Sequence, residues 1–173
     1  MEFNFLEHLA FHIVRNGQYS DLPDIAVIGL REGYDTPALV ILAGLDKNES
    51  SFVMNDYFEK AIQELELAEV LSGKKRAALL LVRGLRNRIL KREIDVCDGC
   101  YFIFHKILSF TDIRILDQKF TYDGIGLAEV YGIYDTIGEL KNSSMNWSEN
   151  KTNEQLMEEE EERLMAALSG WNG

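Results

Sequence analysis

Apolar residues return at helical spacing along most of the chain. Met54, Tyr57, Phe58, Ala61, Ile62 and Leu65 fall at i, i+3, i+4, i+7, i+8 and i+11, which predicts a helix over about 52–67. Its other face carries Glu59, Lys60, Glu64 and Glu66. The next segment, Ser72 to Glu93, sets Ala78, Leu81, Val82, Leu85 and Ile89 on one stripe. Leu79, Leu80 and Leu90 lie outside that stripe. A helix that is apolar on more than one side is expected at the centre of a bundle.

Shorter signals fill in the rest. Residues 3–16 predict a first helix with Leu6, Leu9, Ala10 and Ile13 buried and Gly17 as its stop. Ser20 or Asp21 can cap a helix over about 22–32, with Pro23 in its first turn and Gly33 after it. Ala38 to Leu45 is nearly all apolar and fits a buried strand or helix, but Thr36 as cap and Pro37 as first helical residue favour a short helix. Asp95 can cap a helix over about 96–109 whose core residues are Val96, Tyr101, Phe104, Ile107 and Leu108. Thr111 to Lys119 predicts another short helix. Between Phe120 and Leu140 the glycines Gly124, Gly126, Gly132 and Gly138 suggest only short helical turns. A polar linker over 142–153 then leads to an amphipathic C-terminal helix within 154–173, with Leu156, Met157, Leu164, Ala167 and Leu168 on its stripe. The expected fold is all-α: one irregular multi-helix bundle over 1–141, the linker, and that terminal helix.

Charge narrows the function classes. The 173 residues carry a net charge of −11. Such a balance disfavours broad binding to nucleic acid or anionic membranes and favours a basic partner, while also promoting solubility. Met1 is followed by Glu2 with no basic stretch before an apolar run, and no membrane-length apolar window exists, so a cytoplasmic location is expected. Two cysteines are too few for a disulfide scaffold.

Candidate chemistry is sparse. His8 and His12 share a helix face at the spacing of a two-histidine metal site, but the His-Glu-x-x-His pattern is absent and the face lies opposite the expected apolar stripe. They read as surface histidines. Cys97 and Cys100 form a C-x-x-C without a second ligand pair, and read as ordinary buried or half-buried thiols. Asp123 to Glu129 begins like a dinucleotide loop but lacks its third glycine. No P-loop or nucleophile elbow occurs, and no carboxylate is marked as a general acid or base. No enzyme activity, metal or cofactor is therefore expected. The cations Lys74, Lys75, Arg76, Arg83 and Arg86 offer one alternative, a nucleic-acid surface on the central helix, which requires all five to share an exposed side.

Gly33-Tyr34-Asp35-Thr36-Pro37, then Leu39 and Ala43-Gly44-Leu45, then Asp56-Tyr57-Phe58 with Ala61 and Glu64-Leu65, and later Glu93-Ile94-Asp95 with Gly99-Cys100, resemble small uncharacterised bacterial helical proteins. The resemblance spans roughly residues 28–135 and rests on core and cap positions, so it implies fold before function. Proteins of this kind are similar to immunity partners of bacterial toxins, which implies a non-enzymatic module that binds a basic protein. Outside the resemblance, Glu158, Glu159, Glu160, Glu161 and Glu162 are the expected partner-binding residues.

Overall fold

The computed structural model describes residues 2–114 and 120–173. Within them the chain is all-α: eight α-helices joined by short 3₁₀ and π turns, with no strand among the described residues. It divides into two compact units, residues 1–81 and 82–173. The division falls inside the helix α5 (Gly73–Leu90), not at the 142–153 segment. The predicted stripe of that helix is buried throughout, with Ala77 and Ala78 beside Leu81, Val82, Leu85 and Ile89.

In the first unit, α1 (Phe5–Arg15) starts at a capping box in which Asn4 and Glu7 exchange hydrogen bonds. Its buried apolar residues are Phe5, Leu9, Ala10 and Val14, so the expected stripe is rotated and Leu6 and Ile13 are only half-buried. The reason is Phe5, whose ring lies against Gly29 of α2 (Leu22–Arg31): a Cβ at Gly29 would sit 2.7 Å from that ring. The helix stops at Asn16, not Gly17; Asn16 takes the left-handed conformation at φ 49°. Gly33, at φ 91°, turns the chain after α2 as expected. Thr36 then caps α3 (Pro37–Ala43), accepting from the Leu39 amide, and Pro37 opens the helix. Glu64, at the end of α4 (Ser51–Glu64), accepts from the Ala38 amide at 2.9 Å. That carboxylate, predicted on an outer face, thus holds the start of α3. The buried side of α4 is the predicted one, centred on Met54 and Ala61.

In the second unit, Asp95 caps α6 (Val96–Tyr101) by accepting from the Cys97 and Asp98 amides. The chain continues through a π turn, Phe102–Ile107, that periodicity does not foretell. Cys100 and Ile103 are buried, and Tyr101 is exposed beside His105, contrary to the expected core. The stripe through Val96, Cys100, Ile103 and Ile107 passes one residue to the side of Tyr101. Of the helix expected over Thr111 to Lys119, Asp112–Arg114 form a 3₁₀ turn; residues 115–119 lie outside the described residues. The largest departure is α7 (Ala128–Asn142), one continuous helix where short turns were expected. Val130, Ile133, Ile137 and Leu140 bury its inner face, while Gly132 and Gly138 meet nothing within 4 Å. The glycines are therefore tolerated on the side that packs against nothing.

The terminal helix α8 (Asn153–Gly170) packs along α7 in antiparallel fashion. Asn153 reaches back to the carbonyls of Leu140 and Met145, and the Trp171 indole donates to the Ile125 carbonyl at 2.7 Å. Leu164, Leu168 and Trp171 are buried. The polar segment is thus the loop of a helical hairpin.

Candidate partner-binding groove

The start of α8 is set by a second capping box, between Thr152 and Gln155. Each following residue turns about 100° around the axis, so five consecutive glutamates cannot act as one surface. Glu159 pairs with Lys151 at 2.5 Å and Glu160 with Arg163 at 2.5 Å. Glu161 accepts a long hydrogen bond of 3.7 Å from the Cys97 thiol. Glu158 and Glu162, one turn apart, are exposed.

Glu158, Glu161 and Glu162 border a groove of about 770 Å³ between α8 and the α5–α6 junction. Ile89, Ile94, Val96 and Met165 give it apolar surface, and Asp95 and Arg92 complete it. The Asp95 carboxylate is committed to capping α6. Arg92 ends α5 in the left-handed conformation, φ 59°, with its amide on the Ile89 carbonyl and the Glu93 amide on that of Arg88. Glycine is the usual residue at such a helix end. Neither the groove nor Arg92 is recognisable in a list of charges, since both depend on how α8 meets the end of α5.

The cysteines are free thiols. Burial, then the nearby charges of Glu161 and Asp95, pushes the Cys97 thiol up to about 12. Burial pushes Cys100 to about 12 as well. Both stay protonated near neutrality and are poor nucleophiles or metal ligands. Among the described residues, no group of three or more His, Cys, Asp or Glu side chains is arranged to hold a metal.

His8 and His12 are not a pair of surface histidines. His12 is half-buried, its ring 5.6 Å from that of Phe58, and its Nδ1 is buried without a hydrogen-bond partner. His8 instead meets Phe3 edge-on at 5.8 Å. The rotated stripe of α1 explains why: it swings the side carrying His12 towards neighbouring residues.

The basic residues of α5 do not form one exposed set. Lys74, Lys75 and Arg76 belong to the first unit, Arg83 and Arg86 to the second. Arg76 donates to the Glu69 carbonyl and the Ser72 hydroxyl. Arg86 donates to the carbonyls of Leu168 and Ser169 at 2.6 Å each, and Arg83 to that of Gly173 at 2.7 Å. A helix end leaves four carbonyls without intrahelical partners, and Arg86 satisfies two of them here, while Arg83 holds the chain beyond the helix. Lys75 is exposed and Lys74 half-buried. Among the described residues, no helix is long and apolar enough to cross a membrane.

Comparison with family models, with curated proteins and with solved structures gives no match for this chain. No residue role is therefore carried over from a relative.

Proposed function

We propose that this chain is a non-enzymatic protein-binding module of the immunity or inhibitor type, working in the cytoplasm, whose groove between α8 and the α5–α6 junction takes a basic segment of a protein partner. The observation that carries this reading is the mixed character of the groove, with Glu158 and Glu162 beside Met165, Ile94 and Val96. A lysine or arginine side chain has the same two parts, an apolar stem and a charged head. Carboxylates one turn apart suit two cations one turn apart on a partner helix. The net charge of −11 adds long-range attraction, which speeds encounter with a basic protein and weakens with salt.

The test uses a fluorescently labelled amphipathic peptide with lysines at i and i+4 and leucines between them, against a glutamine-substituted control. Anisotropy should show salt-sensitive binding of the lysine peptide only. The double variant Glu158→Gln/Glu162→Gln should weaken it by roughly tenfold or more. Equal binding by variant and wild type, with far-UV circular dichroism unchanged, refutes the assignment.

A further inference from the structure

A second concavity lies wholly within the first unit. It measures about 400 Å³, inside the range of small-molecule sites of roughly 300–1,000 Å³. One face of α1 supplies His8, Phe11, His12 and Arg15, at i, i+3, i+4 and i+7. The chain from Asp21 into α2 supplies Asp21, Asp24, Ile25 and Ile28. Phe11, Ile25 and Ile28 make an apolar body for the site, with cationic and imidazole groups supplied by α1 and carboxylates by Asp21 and α2.

Two details set this pocket apart from a chance dent between helices. Asp21 occupies the cap position of α2, yet its carboxylate makes no capping hydrogen bond. Its backbone is already helical there, φ −83° and ψ −20°, which leaves the carboxylate away from the first amides of α2. The imidazole of His12 lines the pocket and has a buried nitrogen without a partner. Buried polar groups in folded proteins are nearly always paired, and an exception calls for a reason. Asp24 is neutralised by Lys47 at 2.5 Å, which leaves Asp21 as the negative end. Arg15 stands over the Phe11 ring, 5.4 Å from its centre, at the positive end; a guanidinium has five donors and serves more than one acceptor.

We infer that this pocket binds a small zwitterion with an apolar body, of the size and chemistry of an apolar amino acid. The ligand carboxylate meets Arg15 and the imidazole side. Its ammonium meets Asp21. Its side chain lies on Phe11, Ile25 and Ile28. A simple anion would leave Asp21 opposed to it, and a simple cation would face Arg15. A phosphate ligand meets the same objection from Asp21. The site is separate from the groove of the second unit, and either can fail alone.

The probes are L-leucine and L-phenylalanine, titrated into the full chain while the imidazole C2 protons are followed by NMR. Three histidines are present, and His8→Gln and His105→Gln variants assign the His12 signal. Controls are 3-phenylpropionate without the amine, isopentylamine without the carboxylate, and glycine without the apolar body. At least one of the two amino acids should shift the His12 signal saturably, with each control weaker by about tenfold or more. Asp21→Asn should remove the preference for L-phenylalanine over 3-phenylpropionate, and Arg15→Gln should weaken both, with thermal unfolding unchanged. No movement of the His12 signal at millimolar amino acid overturns the proposal. So does a preference for the zwitterion that survives Asp21→Asn.

Discussion

Burial governs the protonation of His12. Its environment lowers the imidazole pKa below the ordinary 6.5, mainly through desolvation, while the Asp21 carboxylate pulls the other way. A base whose folded-state pKa is depressed is held neutral in the native protein. The unfolded chain then binds more protons than the native one between the two values, and stability rises with pH across that window. The contribution is complete above 6.5 and is lost as pH drops through the lower folded value. Replacing His12 with glutamine removes this dependence. Urea unfolding measured between about pH 8 and about pH 5 should lose midpoint more steeply in wild type than in His12→Gln. Parallel curves for the two proteins would place the acid sensitivity elsewhere.

Among the elements, glycines separate what sequence reports from what packing decides. Gly132 and Gly29 both lie inside helices, and their surroundings are opposite. Gly132 is exposed with nothing near its missing Cβ, so Gly132→Ala should raise stability by about 1 kcal/mol through helix propensity alone. Gly29 faces the Phe5 ring, which is fully buried and has no flexible end to move aside. Gly29→Ala should cost about 1–3 kcal/mol. Chemical denaturation of the two variants checks both signs at once. The same distinction explains which elements were legible. Thr36-Pro37 and Asp95 announce α3 and α6 because a cap acts within three residues of itself. The stripe of α5 is equally plain, since Leu81, Val82, Leu85 and Ile89 repeat along it with Ala78. The helix α7 is hidden: its glycines resemble breaks, although Val130, Ile133, Ile137 and Leu140 keep a helical period. The groove was partly legible. Its acidic side could be named from Glu158 to Glu162, but which of them face it depends on the rotation of α8 over α7. The roles of Arg83 and Arg86 were out of reach, because their acceptors lie 82 to 90 residues away.

For the whole molecule, the telling feature is that one 18-residue helix belongs to both compact units. Divided at Leu81, α5 gives each unit about half of its length. Isolated helices shorter than about 12–15 residues are marginal in water, so neither half has much stability of its own. If one unit unfolds, α5 loses the packing along half its length, Ala77, Ala78 and Leu81 on one side of the division or Val82, Leu85 and Ile89 on the other, and the remaining half is too short to hold its helix unaided. Covalent continuity of the helix should therefore couple the two units into one cooperative transition. The tryptophans make this measurable. Trp147 and Trp171 both lie in the second unit, so fluorescence reports on that unit alone, whereas far-UV circular dichroism reports helix from both. Urea titrations followed by the two signals should coincide in midpoint and slope, as two-state unfolding requires. A fluorescence transition completed while substantial ellipticity remains would mean that the halves of α5 come apart independently. A proline at Val82 provides the complementary perturbation: it breaks the helix at the division and should separate the two transitions if the shared helix is what joins them.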